Sequence, residues 1–203
     1  MFLIAGKLIH RLEQWDHQLF ILVNNKATDP ILDTLMPFLR NPYTWIPLYL
    51  FLLVFVTLNF KGMGWWWVVL FLCTFSLTDM VSSKVFKEAF ERLRPCQDPD
   101  FFNHVRLLLN NCGSGYSFTS SHAANHFGMA TFIFITTRHL FKAWAWLFYV
   151  WAAAVAYAQV YVGVHYPFDV MGGAVVGFTF GILLGTFFNK RFRFTNFGKT
   201  TTG

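Results

Sequence analysis

Charge is scarce in this chain. Asp, Glu, Lys and Arg make up 13% of its 203 residues, about half of what a soluble domain of this size carries. Acidic residues are rarer than basic ones, 10 against 16, so the net charge is +6. This excludes an ordinary water-facing surface. No basic patch interleaves with aromatics, so no nucleic acid is expected as a partner. A bilayer surface suits the positive balance better. Cysteine is scarce too, with three residues and no CxxC spacing, which argues against a zinc pair. Cys73 sits inside an apolar block and reads as a small apolar filler. Cys96 and Cys112 share one polar connection, and in an oxidising compartment they are expected to pair. A cleavable signal core is also missing, because Lys7, Arg11, Glu13 and Asp16 are spread through residues 1–25.

What the chain has in excess is apolar and aromatic, at 55% and 20% of residues. These residues fall into blocks at 43–60, 65–83, 121–137, 143–162 and 168–188. Each is near the roughly 20 residues that cross a bilayer as a helix. One such block is compatible with a buried core helix, but five in a short chain are not. The expected fold is all-α, an integral membrane helical bundle of about five to six transmembrane helices. Ahead of it, Leu3, Ile4, Leu8, Ile9, Leu12 and Trp15 recur at helical spacing with charges between them, the pattern of an interfacial amphipathic helix. A second short helix, 31–39, follows Asp29 and Pro30. The chain therefore divides into interfacial helices at 1–42, a transmembrane core at 43–190 and a basic tail at 191–203. Trp45, Trp65, Trp66, Trp67 and Trp144 fall at block ends, where indoles favour the headgroup layer. Lys61, Arg138, Lys142, Lys190, Arg191, Arg193 and Lys199 collect on one side, which the positive-inside rule makes cytoplasmic. Gly173, Gly177, Gly181 and Gly185 form a close-packing stripe on the last block, facing either another span or a second protomer in a homo-oligomer.

Three polar stretches interrupt this apolar background. In Lys87 to Pro95, Lys87 and Arg94 are about two helical turns apart and are expected to share a face, with Pro95 ending the helix. Two fixed cations suit a phosphate, although a snorkelling helix end has the same composition. In Tyr116 to Asn125, small hydroxyl residues precede a long apolar helix, as N-caps do. Free N–H groups at such a start attract anions, and His122 lies in that first turn. In Gln159 to Asp169, His165 and Asp169 are four apart around Pro167. A carboxylate there accepts from one ring nitrogen and leaves the other as a nucleophile.

The ordered set KxxxxxxRP, Ser-x-His at a helix start, then His-x-x-x-Asp resembles the type 2 phosphatidic acid phosphatase superfamily over about residues 43–188. The wording around Arg94 and Ser120 is similar to the small bacterial undecaprenyl-diphosphatase-type members. The resemblance implies a metal-independent membrane phosphatase without cofactors. Its substrate would be a lipid phosphate, and its site would lie on the periplasmic side of a bacterial inner membrane. It implies that Lys87, Arg94 and Ser120 bind phosphate, with Ser121 and Gln159 beside them. It also makes His165 the nucleophile, Asp169 its orienting partner and His122 the general acid. This chain departs from the pattern in three places. Thr119 and Ser121 stand where the family has proline and glycine. Ala158 and Gln159 stand where its last motif opens with serine and arginine, which removes a guanidinium fork. Either Arg106, Arg92 or another cation fills that role, or the site is weaker and Gln159→Arg would strengthen it.

Other readings stay open on the residues alone. A phosphotransferase would use the same intermediate, and a non-catalytic binder would follow from Gln159. A metalloenzyme would draw on His122, His126, His165 and Asp169. The metalloprotease spacing, however, needs a glutamate where Ala123 stands. Asp79, inside an apolar block, is a candidate partner for Lys84 or for the cationic site.

Overall fold

The structure, a computed structural model, describes residues 2–194, and every regular element among them is helical. Lys199 and most of the basic tail expected at 191–203 lie outside the described residues. The main helices are α1 (Phe2–Ile21), α2 (Pro30–Arg40), α3 (Ile46–Met80), α4 (Lys87–Phe90), α5 (Ser121–Phe141), α6 (Leu147–Tyr161) and α7 (Pro167–Arg191). Short 3-10 and π-helical turns join several of them.

Two breaks organise the bundle. Within α3, Lys61 takes a left-handed φ of 47°. The stretches on either side fold back, so that Gly64 packs on the main-chain carbonyl of Val56. An unbroken helix would hold those residues about 12 Å apart. After α5, Lys142 does the same at φ 50°. The ring of Phe134 then lies 4.8 Å from Trp146, and His126 lies 5.0 Å from Trp151, so α5 and α6 run antiparallel. Each apolar block of the sequence thus forms one helical arm. By length and composition, Pro42–Gln97, Ser121–Tyr161 and Pro167–Arg191 are apolar enough to cross a membrane. The first two of these are the stretches that fold back. Their outward faces are apolar, with Leu58 75% and Val175 64% exposed. A bilayer suits such a surface better than water does.

The glycine stripe is used inside the chain. A Cβ on Gly177 would lie 2.5 Å from the carbonyl of Ala124, and one on Gly181 would lie 2.6 Å from that of Gly128. Gly173 meets the carbonyl of Ser120 in the same way, and Gly185 packs on the side chain of Ile135. α7 therefore lies against α5 along its length, and this face is not free for a second protomer. Two further expectations change. Trp67 is buried and donates its indole N–H to Thr136 Oγ1 at 2.8 Å, so it is a core residue and not a headgroup anchor. Cys73 is free and exposed on the outer face of α3, and fills no interior gap.

The two N-terminal helices pack on the end of the bundle that holds the polar stretches. α2 starts where it does because Asp29 caps it, accepting from Ile31 N at 2.8 Å, with Pro30 at its first position. α1 turns Leu8, Ile9, Leu12, Trp15 and Leu19 outward, while Asp16 and Phe20 are fully buried.

Candidate active site

The start of α7 sets the geometry. Asp169 sits in its first turn, is completely buried and has both oxygens engaged. Oδ2 accepts from Ser117 Oγ at 2.5 Å and from Tyr166 N at 2.8 Å. Oδ1 accepts from Arg92 NH1 at 2.7 Å. The carbonyl of Asp169 accepts from Ser120 N at 2.9 Å, which ties the start of α7 to the start of α5. His165 precedes α7, with Nδ1 3.3 Å from Ser117 Oγ and 3.7 Å from Asp169 Oδ2. At 3.7 Å the two groups are too far apart for the direct hydrogen bond expected from the spacing, and the Ser117 hydroxyl bridges them instead. Ser117 donates to the carboxylate, so its oxygen is left to accept the Nδ1 proton. Nε2 then keeps its lone pair, with Arg94 NH1 3.4 Å away. Burial pushes the imidazole pKa down to about 4 against the pull of Asp169.

Arg94 is 8% exposed and held by main-chain carbonyls. Nε donates to Gly115 O at 3.1 Å, NH2 to Ser114 O at 3.2 Å and NH1 to Val164 O at 3.3 Å. Cys96 is joined to Cys112, with Cα atoms 5.9 Å apart. The bridge closes the loop between Arg94 and the glycines that receive it. Lys87 and Arg94 do not share a helix face as expected. The helix stops at Phe90, with Glu91 left-handed at φ 47°. Arg94 is already extended, at φ −74° and ψ 152°. The chain leaves the helix early because Arg92 is drawn inward to Asp169 and Asp16, while its carbonyl accepts from Ser117 N at 2.7 Å. Lys87 nevertheless reaches the site from the side, since its charge acts on Arg94, His165 and His122.

Ser120 is the N-cap of α5, and its Oγ accepts from Ala123 N at 3.4 Å. It is fully buried, and its hydroxyl points back into the helix. Ser121 is half-buried and shares a 3.0 Å hydrogen bond with Ser82 Oγ. His122 follows at the mouth of a cavity of about 440 Å³ walled by Tyr49, Phe71, Leu72 and Phe75. Asp79, Ser121, Asn125 and His126 are polar groups that line that cavity with it. Asn125 links to Asp79 Oδ1 at 3.0 Å, so Asp79 serves this side of the site, where Lys87 also feels its charge. His126 Nδ1 meets the carbonyl of His122 at 2.8 Å, and its Nε2 has no partner among the described residues. A larger open hollow of about 730 Å³ beside Trp15, Leu19 and Phe168 has only Lys26 as a charged group on its wall. Among the described residues, no three His, Cys, Asp or Glu side chains group as a metal site.

Sequence reasoning missed three contributors. Ser117 looked like cap material, yet it touches both His165 and Asp169. Asp16 is a buried acid from α1 that accepts from Arg92 NH2 at 2.6 Å and from Phe168 N at 2.8 Å. No local signal marked it, because Glu13 three residues earlier on the same helix is also an acid. Burial pushes the Asp16 carboxyl up, and Arg92 pulls it back down. Arg40, from α2, donates through Nε to Gln159 Oε1 at 3.4 Å. The two arginines considered as substitutes for the family's guanidinium are both paired. Arg92 holds Asp16 and Asp169. Arg106 holds Asp33 Oδ1 at 2.8 Å and the carbonyl of Asn24 at 3.0 Å.

Comparison with known proteins shows the family. Residues 64–193, more than half of the chain, match the PAP2 superfamily. A lipid A 4'-phosphatase of Bacteroides thetaiotaomicron is 31% identical over 173 residues, covering 84% of this chain and 75% of that protein. An undecaprenyl-diphosphatase of Sulfolobus acidocaldarius is 32% identical over 166 residues, covering 79% of this chain and 72% of that protein. Among solved structures, the transmembrane PAP2-type phosphatidylglycerolphosphate phosphatase of Bacillus subtilis superposes with a TM-score of 0.71 at 28% identity, covering 95% of each chain. With the histidine, the aspartate and the cations brought to one end of a membrane helical bundle, this chain belongs to the PAP2 superfamily of membrane lipid phosphatases.

Proposed function

We propose that the protein hydrolyses a phosphate mono- or diphosphate ester of a membrane lipid through a phosphohistidine on His165, without a metal. The observation that carries this reading is the posture of His165. Nδ1 is held by Ser117 and Asp169, while Nε2 faces the Arg94 guanidinium 3.4 Å away. A phosphate gripped by Arg94 and Lys87 presents its phosphorus to that lone pair. Nε2 attacks, and the bond to the leaving oxygen breaks. His122, at the start of α5, supplies the proton to that oxygen. Water then cleaves the phosphorus–nitrogen bond, with His122 taking a proton back. The negative charge that develops on the equatorial oxygens is met by side-chain cations and by N–H groups at the start of α5. The cavity beside His122 has the apolar walls to receive the lipid end of the leaving group.

Two features favour a site on the periplasmic face of a bacterial inner membrane. The Cys96–Cys112 bridge lies at the same end as the site and suits an oxidising compartment. Arg138, Lys190 and Arg193 line a hollow at the far end of α5 and α7, as the positive-inside rule asks of the cytoplasmic side. On this reading, the outward apolar residues of α1 lie in the headgroup layer, and residues 1–42 act as an interfacial collar.

The direct test is phosphate release by the detergent-solubilised protein, with and without excess EDTA. The panel would be undecaprenyl diphosphate, phosphatidylglycerol phosphate, phosphatidate and lipid A phosphate. Release from at least one lipid, undiminished by EDTA, is expected. Release that stops on chelation and returns with zinc or magnesium would replace this mechanism with a metal-dependent one. No release from any of the lipids would leave a binding protein.

A further inference from the structure

We propose that Arg40, delivered by α2, is the third phosphate-binding cation of this site, taking the place of the arginine that the family motif puts where this chain has Gln159. The proposal rests on the phosphatase reading above. Gln159 is fully buried near the end of α6, and its carbonyl accepts from Val164 N at 3.2 Å, one residue before the nucleophile. Its Oε1 accepts from Arg40 Nε at 3.4 Å, and its Nε2 is a buried donor with no partner among the described residues. The chain has therefore kept a polar side chain at this position and brought a guanidinium to it from a different helix.

α2 is built to make that delivery. Met36 is buried against Ala158, Tyr161 and Val162 of the α6 end. Arg40 comes four residues later, on the same face of α2, and so arrives at Gln159. The register is pinned from both ends. Asp33 Oδ1 takes Tyr161 Oη at 2.6 Å and Arg106 NH1 at 2.8 Å. Beyond Arg40, Trp45 Nε1 donates to Leu39 O at 2.8 Å, and Thr44 Oγ1 donates to Phe38 O at 2.7 Å.

The electrostatics point the same way. Among the described residues, Arg106 and Arg92 each have a carboxylate, and Arg40 has none within ion-pair distance. It is half-buried, and both burial and the charge of Arg94 push its pKa down. A desolvated guanidinium set beside another cation and no acid is stabilised by an anion between the two. The charge of Arg40 also acts on His122. With Nε engaged by Gln159, both terminal nitrogens remain for phosphate oxygens.

A charge-relocation series tests this. It compares wild type, Arg40→Gln, Gln159→Arg and the double variant for kcat/KM and for inhibition by inorganic phosphate. Arg40→Gln is expected to lose about a hundredfold to a thousandfold in kcat/KM and to weaken phosphate inhibition, as loss of one charge-stabilising donor does. Gln159→Arg alone is expected to give no gain, because it sets a second guanidinium against the first. The double variant is expected to recover at least about tenfold over Arg40→Gln, since the cation returns from α6. An Arg40→Gln variant within about threefold of wild type, or a double variant no better than Arg40→Gln, overturns the proposal. So does a gain of about tenfold or more from Gln159→Arg alone, which reads an empty seat however Arg40→Gln folds. Calorimetric binding of inorganic phosphate to wild type and to Arg40→Lys needs no turnover, so it judges Arg40 even if the hydrolytic reading fails. Weaker binding by the lysine variant, which lacks the fork, is expected, and equal binding would count against Arg40.

Discussion

The two sides of His165 are built differently. On the Nδ1 side every group is partnered: Ser117, Asp169, Arg92, Asp16, Tyr166 and the start of α7 form one closed network. Arg92 also lies 4.1 Å over the Tyr166 ring, whose hydroxyl donates to Asp98 Oδ2 at 3.0 Å. On the Nε2 side, groups are left open. Among the described residues, Arg40 has no acid, and Gln159 Nε2 and His126 Nε2 have no partner. Buried polar groups are normally satisfied, so the two halves differ in how completely the described residues partner them. On the mechanism proposed above, His165 is oriented before substrate arrives, and the phosphate and its leaving group meet the opposite half.

Breaking the closed half has the largest expected effect. Asp169→Asn should lower kcat by about 10²- to 10⁴-fold, because the amide no longer holds the productive tautomer. Ser117→Ala should cost less, about tenfold, since the carboxylate remains and only the bridging hydroxyl is lost. Steady-state kinetics on the best lipid of the panel checks both. A Ser117→Ala loss as large as that of Asp169→Asn would make the serine the principal orienting group.

Arg92→Ala reads what the closed half contributes to stability. It strands two fully buried carboxylates, Asp16 and Asp169, and should destabilise the protein by about 3 kcal/mol. Thermal unfolding in detergent reads this as a lowered midpoint. Because Asp16 belongs to α1, the same variant should loosen that helix and raise its proteolysis. Asp16→Asn should do so more mildly. An unchanged midpoint would mean that the network is ornamental to the fold.

The arms of the bundle were legible in the sequence, because apolar blocks of span length leave little choice of structure. The turns at Lys61 and Lys142 fell at the expected ends of those blocks. The motif residues His165, Asp169, Arg94 and His122 were legible for the same local reason, each lying at an end of an apolar helix. What was not legible came from distant parts of the chain. Asp16 and Arg40 lie on helices that read as a surface collar, and nothing local says that one residue of each turns inward. Ser117 resembled any capping serine, because its role depends on where α7 puts Asp169. The Lys87–Arg94 helix was expected to run too far, since the ion pairs that pull Arg92 out of it are invisible to spacing. The glycine stripe had two possible partners by pattern alone, and the small residues on α5 decided between them.

A smaller effect sharpens the comparison through pH. Burial holds the His165 pKa near 4, against 6.5 ordinarily. The unfolded chain therefore takes up a proton that the folded site resists. The contribution of His165 to stability is complete above about pH 6.5 and is lost as pH falls from there toward 4. His165 stays largely neutral through the upper part of that window. Once the titration of the substrate phosphate is allowed for, the acid limb of kcat/KM should lie below about pH 5. An acid limb at the ordinary histidine value would show that the site is wetter than its burial implies.

The most direct test of the oriented-nucleophile account is to catch the intermediate. Protein mixed with lipid carrying a labelled terminal phosphate would be quenched in base, where phosphohistidine survives, then digested and mapped. The account predicts label on His165 and none in His165→Ala. It also predicts that label builds up in His122→Ala when the substrate has a good leaving group, because breakdown then lacks its base. Label on any other residue, or turnover by His165→Ala, would contradict it.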